Sequence, residues 1–429
     1  MSTPQKTALE INWKKNLFFV WLSQFLSLAG FGCCMPFIPL LLKDNLGVTD
    51  PRMQGLYVSI YYFAGMLSLC FASIFWGILA DKFGRKIMLL RASYGAAIFY
   101  PLLAFAPNVA VLILIRFICS FFSGTVNPAQ TLLVTTTPPN KHGFVLGTIS
   151  TATTSGNMLG YMAGGFIVEY WGYTAAFLIC GAVYLISGIL IHIFVKENFQ
   201  RPVKKPEELE KTQKVSKWES FKAQATTAIV WLLILFLVSG VARRIEQPFL
   251  AMQVLAINGP EKAALYTGWI SAAAALGGVI SGVLFGQLCD KFPPRKLLIP
   301  TLILSVIAHL IQAWAPSIAI FMLSRFFCFL VAGGIHPALQ VLLSKVVPVE
   351  KKGTFFGWSQ SVSTIGGIIC AVITGSLSCL SDDNARWIFT MPALLFLIMI
   401  PLMLPAIKAC MKEFICDPDA TGKDLKKAS

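Results

Sequence analysis

Charged side chains are scarce in this 429-residue sequence, and acidic ones are scarcer than basic ones. Only 13% of the residues are charged, whereas roughly a quarter are charged in soluble domains. Hydrophobic residues make up 56% of the chain, and the mean hydropathy is +0.70. A soluble protein with so few charges could not cover its surface with polar groups. The composition therefore excludes an ordinary soluble protein and indicates an integral membrane protein.

Polar interruptions are also rare, and they leave long apolar runs. A helix needs about 20 mostly apolar residues to cross the hydrocarbon core. Twelve runs meet this requirement, at roughly 17–42, 54–80, 87–106, 109–135, 143–169, 173–195, 227–256, 265–288, 297–315, 317–346, 353–379 and 387–408. They lack the alternation of barrel strands, and backbone groups in lipid must bond within their own segment. The sequence predicts an all-α membrane protein with twelve transmembrane helices, numbered here in chain order.

Metal-binding and catalytic spacings are missing as well. Most of the eleven cysteines lie within apolar runs, where cysteine serves as a small apolar residue. We therefore expect no metal site and no disulfide framework. No nucleotide-binding loop or nucleophile–base pair is present, which argues against an enzyme and against a cofactor. The first apolar run is too long for a signal peptide, so no secretory signal is predicted.

The basic residues, which give a net charge of +15, are concentrated on one side of the predicted topology. The two termini and the even-to-odd connections hold 27 of the 35 Lys and Arg residues, and the opposite side holds four. The positive-inside rule therefore places both termini in the cytoplasm. Topology and contact with anionic lipids account for this excess, and no nucleic-acid partner is expected.

The two halves of the chain repeat one plan. When the first half is shifted by 209 residues, Gly77 and Asp81 fall on Gly286 and Asp290. An internal duplication of six helices is characteristic of transporters, which place the substrate site between two similar halves.

A charged segment separates the two halves. It fits a short helix on the membrane surface as well as it fits a solvated linker. We predict an N-terminal six-helix bundle over 1–195, a cytoplasmic central loop over 196–226, a C-terminal bundle over 227–410 and a cytoplasmic tail over 411–429.

Three stretches of the sequence match a known family. GILADKFGRK, residues 77–86, resembles the loop signature between helices 2 and 3 of the major facilitator superfamily. MPFIPLLL, residues 35–42, resembles the first-helix motif of that superfamily's drug–proton antiporters. The glycines of residues 147–165 match the fifth-helix antiporter motif in spacing, although the motif's proline is Tyr161 here. The resemblance covers almost the whole chain and is closest to the MdtG-like bacterial multidrug exporters.

The resemblance implies that the two repeated loops form cytoplasmic gates. Asp81 would face the start of helix 11 near Gly353, and Asp290 would face the start of helix 5 near Gly143. Gly77 would let helix 2 approach a neighbouring helix closely. Topology alone would explain the bases of these loops but not their acids. The expected gating residues are Gly77, Asp81, Arg85, Lys86, Gly286, Asp290, Arg295 and Lys296.

The antiporter motif places five glycines in helix 5, at Gly147, Gly156, Gly160, Gly164 and Gly165. One interpretation is tight packing against another helix, and the other is a bend or seal between the halves that rearranges during transport. Both depend on close backbone approach.

Ionisable residues near the bilayer centre are costly and are therefore functional candidates. In a continuous helix 7, Arg243, Glu246 and Gln247 would share one face. Arg243 would then pair with Glu246, and Arg244 would be left for substrate.

Helices 4 and 10 carry two further arginines at equivalent positions of the repeat. By resemblance these helices line the central cavity, and bonds to backbone carbonyls are the structural alternative. His309 on helix 9 is expected only to pack. The expected substrate-binding residues are Arg243, Arg244, Glu246, Gln247, Arg116, Arg325, Asn127 and His336.

The sequence therefore predicts a secondary active transporter that works by alternating access. The resemblance implies efflux of small amphiphilic compounds coupled to protons, with Glu246, Glu169 and His336 as candidate proton carriers. Because four arginines oppose one midplane carboxylate, anionic or zwitterionic substrates are expected. An importer of a small anionic nutrient or siderophore-like compound is the main alternative, and a receptor or assembly scaffold would not need two gating loops. The expected partners are substrate, protons and lipids, for a monomer in the bacterial plasma (inner) membrane.

The predicted topology can be tested by labelling introduced cysteines with an impermeant thiol reagent. Cysteines at Asp50 and Asn258 should react from outside, and a cysteine at Lys211 should react only after the membrane is permeabilised. The parent chain, with its own cysteines, gives the background. External labelling at Lys211 would overturn the orientation.

Overall fold

The computed structural model describes residues 12–138, 141–199, 226–292, 294–347, 352–380 and 384–415. Within these ranges all the regular elements are helical. We number them by membrane crossing: α1 (Trp13–Cys34 and Ile38–Asp44), α2 (Pro51–Phe83), α3 (Arg85–Leu103), α4 (Val109–Phe122 and Val126–Thr136), α5 and α6 (together His142–Phe194), α7 (Thr227–Ala242 and Leu250–Asn258), α8 (Ala263–Lys291), α9 (Pro294–Ala313), α10 (Ile318–Ala332 and Ile335–Val346), α11 (Lys352–Leu380) and α12 (Asn384–Ile415).

Twelve crossings follow from these helices. Ten described segments are long and apolar enough to span a membrane. One of them, Phe144–Phe194, has 51 residues, more than twice the length that a bilayer core of about 30 Å requires. Gly172 interrupts it with a φ of 78°, so α5 ends there and α6 begins. The 19-residue helix α3 supplies the twelfth crossing. The all-α prediction with twelve helices is confirmed.

Four of the twelve helices are interrupted, and the interruptions repeat. A 3₁₀ turn at Met35–Phe37 breaks α1, and a 3₁₀ turn at Gln247–Phe249 breaks α7 at a distance of 212 residues along the chain. Each turn contains a Pro-Phe pair, and proline has no N–H to continue an α-helix. The breaks of α4 and α10, at residues 123–125 and 333–334, lie about 209 residues apart. The sequence prediction of a continuous helix 7 is therefore wrong, because Pro248 ends its regular geometry.

The described chain divides into two compact units by its internal contacts. The first comprises the described residues within 1–41 and 64–203. In this unit the glycines of α5 lie against the backbone of α1: a Cβ at Gly156 would lie 2.5 Å from the Phe25 carbonyl oxygen, and one at Gly160 would lie 2.9 Å from the Ala29 Cα. Gly164 meets Cys33 in the same way. These glycines therefore serve tight packing within one unit.

The second unit comprises residues 42–63 and the described residues within 204–429. Here α11 packs on α7 as α5 packs on α1: a Cβ at Gly366 would lie 3.0 Å from the Leu237 carbonyl oxygen, and Leu237 follows Phe25 by 212 residues. Residues 42–63 were expected in the N-terminal bundle but group with this unit. The Ser59 hydroxyl of α2 donates a 3.0 Å hydrogen bond to the Thr374 hydroxyl of α11.

Two glycines of α5 provide a matched test of the packing. Gly160→Ala would push a methyl group into the backbone of α1, and overpacking of this kind costs about 1–3 kcal/mol. Gly147→Ala lies on the same helix, where a Cβ meets nothing within 4 Å. We expect thermal unfolding in detergent to occur at a lower temperature for Gly160→Ala, and at an unchanged or slightly higher temperature for Gly147→Ala. Equal unfolding temperatures for the two variants would contradict the packing.

Candidate functional site

The break in α7 displaces four polar or charged residues within residues 243–247 from helical spacing. Residues 243–246 form turns rather than α-helix. The Arg244 carbonyl accepts from the Gln247 N–H at 3.3 Å, and the Glu246 carbonyl accepts from the Phe249 N–H at 3.1 Å. These bonds join residues three apart, whereas α-helical bonds join residues four apart. The side chains of this segment therefore do not follow the rotation of about 100° per residue of a regular α-helix.

Glu246 is buried, with 1% of its surface exposed, and it lies in a polar network. Its Oε1 forms an ion pair with the Arg325 guanidinium of α10. Its Oε2 accepts a 2.7 Å hydrogen bond from the Gln312 side-chain amide of α9. The expected Arg243–Glu246 pair is therefore wrong: Arg325, from another helix, holds this carboxylate.

Arg325 is 2% exposed and has an aromatic as well as an acidic surrounding. Its guanidinium lies 5.0 Å from the ring centroid of Phe329 and 5.8 Å from that of Phe389. Aromatic faces attract a cation, and more strongly where water is excluded. Desolvation of a buried ion pair is costly, and here the pair to Glu246 and the two rings offset it although the guanidinium Nε has no hydrogen-bond partner among the described residues. Arg325 therefore secures the broken segment of α7 to α10.

His309 belongs to the same network. It is 3% exposed, its Nδ1 lies 2.7 Å from the Ser305 carbonyl oxygen, and its Nε2 lies 3.9 Å from Glu246 Oε1. The interpretation that His309 only packs missed this. A signal was present in the sequence, because Ser305, His309 and Gln312 recur every three or four residues along an otherwise apolar helix.

The two arginines of the α7 break lie in other surroundings than the sequence predicted. The Arg244 guanidinium donates to the Ser363 carbonyl of α11, so the residue expected to meet substrate is engaged in a helix contact. Arg243 has an exposed side chain, as does Gln247. Both arginines act electrostatically on His336 of α10, whose ring meets Phe236 edge-on at 5.2 Å. Arg243, Arg244 and His336 thus form a basic cluster within the second unit.

Arg116 occupies the equivalent position to Arg325 in the first unit. It is buried and lies against α2, where a Cβ at Gly65 would be 2.7 Å from its Nε. Its electrostatic neighbours include Tyr100 and Cys119. Asn127, further along α4, is exposed.

The gating prediction falls largely outside the described side chains. The surroundings of Asp81, Gly286, Asp290 and Arg295 are not described, nor are those of Gly143 and Gly353. Lys296 is exposed, as is Glu169 at the end of α5. At Gly77 a Cβ would meet nothing within 4 Å, so no close helix contact is described at this glycine, and its gating role stays a prediction.

A different carboxylate lies beside the first of these loops. Glu197, just after α6, accepts from the backbone N–H groups of Arg85 and Lys86 at 2.9 and 2.8 Å. The Lys86 ammonium donates to the His192 carbonyl at 2.9 Å. A carboxylate is favourable at a helix N-terminus because the free N–H groups and the dipole attract it. Sequence reasoning sought such an acid at Asp81 and missed Glu197, which no motif marks.

Known proteins resemble the chain over most of its length. The model of the Major Facilitator Superfamily matches residues 20–257 and 249–413. Multidrug resistance protein MdtG of Salmonella arizonae is 32% identical over 387 residues, which cover 90% of this chain and 94% of the relative. Multidrug resistance protein MdtG of Klebsiella pneumoniae is also 32% identical, over 90% of this chain and 92% of its own length.

Solved transporter structures share the fold. A bacterial homologue of the human lysosomal transporter Spinster has a TM-score of 0.71 at 15% identity, over 96% of this chain and 99% of its own. The nucleoside transporter NupG has a TM-score of 0.73 at 12% identity, over 91% and 98% of the two chains. With its duplicated six-helix plan and its broken α1, α4, α7 and α10, the chain belongs to the major facilitator superfamily and is a membrane transporter of small molecules, not an enzyme.

Proposed function

We propose that this transporter exports small amphiphilic compounds that carry an acidic group, by alternating access and in exchange for protons. The direction is supported by the relatives at 32% identity, which are named multidrug resistance proteins. Their similarity extends over 90% of the chain and includes both halves. The same similarity supports placement in a bacterial inner membrane.

The acidic substrate class depends on one observation, the basic cluster of Arg243, Arg244 and His336. Arg243 is exposed, and the carboxylate nearest to it in sequence, Glu246, is neutralised by Arg325. A guanidinium matches a carboxylate or phosphate with two parallel hydrogen bonds, as an ammonium does not. Charges in a poorly hydrated membrane setting also act over longer distances than charges in water. Arg243 therefore replaces Arg244 as the first candidate for substrate contact.

The other expected site residues fall into two groups, one exposed and one buried. Asn127 and Gln247 are exposed and remain candidates for hydrogen bonds to substrate. Arg116, Arg325 and Glu246 are buried, which suits support of the helix breaks more than direct contact. Among the proton-carrier candidates, Glu246 is the one that lies in a buried network with other ionisable groups.

An importer of a small anionic compound would use the same basic cluster. The two functions differ in the direction of net movement. In intact cells, an exporter lowers the accumulation of a fluorescent acidic amphiphile and an importer raises it, relative to cells without the protein. If cells with the protein accumulate more of the amphiphile than cells without it, the protein is an importer and the proposed export is wrong.

Arg243→Gln tests the substrate class. Removing the exposed guanidinium should reduce transport of an acidic amphiphile at least tenfold, because one hydrogen bond to a charged group, worth about 1.5–3 kcal/mol, is lost. Transport of the neutral ester of the same compound should change less than threefold. Initial rates in proteoliposomes with an imposed pH gradient measure both.

Arg386→Gln is the matched control, because Arg386 is an exposed arginine near the start of α12. It should leave both rates unchanged. Equal losses for acidic and neutral compounds in Arg243→Gln, or efficient export of lipophilic cations with acidic compounds ignored by the parent, would refute the acidic class.

The repeated loops are proposed as gates, and Asp81→Asn tests the first of them. The substitution keeps the size of the side chain but removes the charge that basic partners and a helix N-terminus favour. An exposed, partly hydrated ion pair contributes little to stability, so the unfolding temperature should stay close to that of the parent while the transport rate falls severalfold. A parental transport rate would show that Asp81 has no gating role.

A further inference from the structure

The hydrogen bond between His309 and the Ser305 carbonyl determines which ring nitrogen carries the hydrogen in the neutral side chain. The Ser305 carbonyl can only accept, so Nδ1, 2.7 Å away, carries a hydrogen. In the neutral imidazole Nε2 then has a bare lone pair. Nε2 lies 3.9 Å from Glu246 Oε1. Both atoms are then hydrogen-bond acceptors, and they repel each other. The pair becomes attractive only when a proton lies between them.

We propose that His309 and Glu246 bind one exchangeable proton between Nε2 and Oε1, and that this is the proton exchanged for substrate. The inference rests on the proton coupling proposed above and names the site. The proton comes from the aqueous phase and adds to the Nε2 lone pair, so one N–H bond forms as one O–H bond of hydronium breaks. A closure of about 1 Å would bring the two atoms within hydrogen-bond distance.

The groups that face this proton come from three helices. Burial away from water disfavours the charged imidazolium most, Glu246 of α7 attracts the proton, and Arg325 of α10 repels it. The Cys328 thiol of α10 lies within electrostatic reach of Glu246 and Arg325, and the neutral Gln312 of α9 donates to Glu246. With the proton absent, Glu246 and Arg325 cancel in charge. With the proton bound, the cluster carries one positive charge and Glu246 is shared between Arg325 and His309. The contact between α7 and α10 therefore differs between the two states.

The repeat shows that this chemistry is particular to the second unit. Shifted by 209 residues, Arg325, Cys328 and His309 correspond to Arg116, Cys119 and Tyr100.

In the alignment of the broken helices, shifted by 212 residues, Glu246 corresponds to Cys34. The first unit thus keeps the arginine and one cysteine but has a phenol and a thiol in place of the imidazole and carboxylate. Phenols and thiols lose their protons near pH 10 and pH 8.5, whereas imidazole and carboxylate do so below about pH 7. Of the two corresponding sites, the one in the second unit suits a proton gradient near neutral pH.

Nitrogen NMR of the full chain in lipid bilayers tests the proton site directly. The sequence contains four histidines, so ¹⁵N-histidine labelling gives few signals, and His309→Asn identifies the signal of His309 by its loss. We expect Nε2 of His309 to change from unprotonated to protonated between pH 9 and pH 5. In Glu246→Gln the midpoint should fall by at least one pH unit, because the attracting charge is gone. A His309 that does not titrate, or a midpoint that Glu246→Gln leaves unchanged, would overturn the proposal.

Transport by His309→Asn separates coupling from structure. Asparagine can still donate to the Ser305 carbonyl but has no group in place of Nε2, and the Glu246–Arg325 pair stays intact. We expect pH-gradient-driven transport to fall at least tenfold while substrate exchange without a gradient stays within threefold. His192→Asn, at an exposed end of α6, should change neither rate.

Equal loss of driven transport and of exchange in His309→Asn would assign His309 a structural role and overturn the proposal. The proposed function fails separately, if the parent itself shows no proton-driven transport of any acidic amphiphile, and the NMR titration then still decides whether the proton site exists.

Discussion

The ion pair between Glu246 and Arg325 is the interaction on which the second unit depends. A broken helix at membrane depth exposes backbone groups that lipid cannot satisfy, and the segment at 243–249 is such a break. The buried pair ties this segment to α10, and Gln312 ties it to α9. Loss of either partner would leave an uncompensated buried charge, which costs about 3–5 kcal/mol. Because the pair neutralises Glu246, this carboxylate does not oppose the positive charge of the neighbouring Arg243.

The helices were predictable because hydrophobicity and length decide them in a membrane. The predicted runs end within a few residues of most observed helix ends, and the repeat at 209 residues pointed correctly to two related halves. The breaks were harder to predict, since Pro36 and Pro248 permit either a kink or an interruption. Only packing against other helices decides between them.

The site was predictable in residue type but not in pairing. Arg243, Glu246 and Arg325 were identified as candidates because each carries charge in an apolar setting. Their partners were wrong because helical spacing considers neighbours on one helix, whereas Glu246 reaches α9 and α10. His309 was underestimated for the same reason, and Glu197 was missed because its role depends on a helix start 112 residues earlier in the chain.

The contact between α1 and α5 has a mechanical consequence. Three glycines of α5 meet backbone atoms of three residues of α1 at intervals of four residues on both helices. An axial slip that restored the fit would have to pass over a whole interval, about 6 Å at a rise of 1.5 Å per residue. These close contacts therefore fix the axial register of α5 against α1. Any motion of α1 during the transport cycle must carry α5 with it, so tilting is available to the pair and sliding is not.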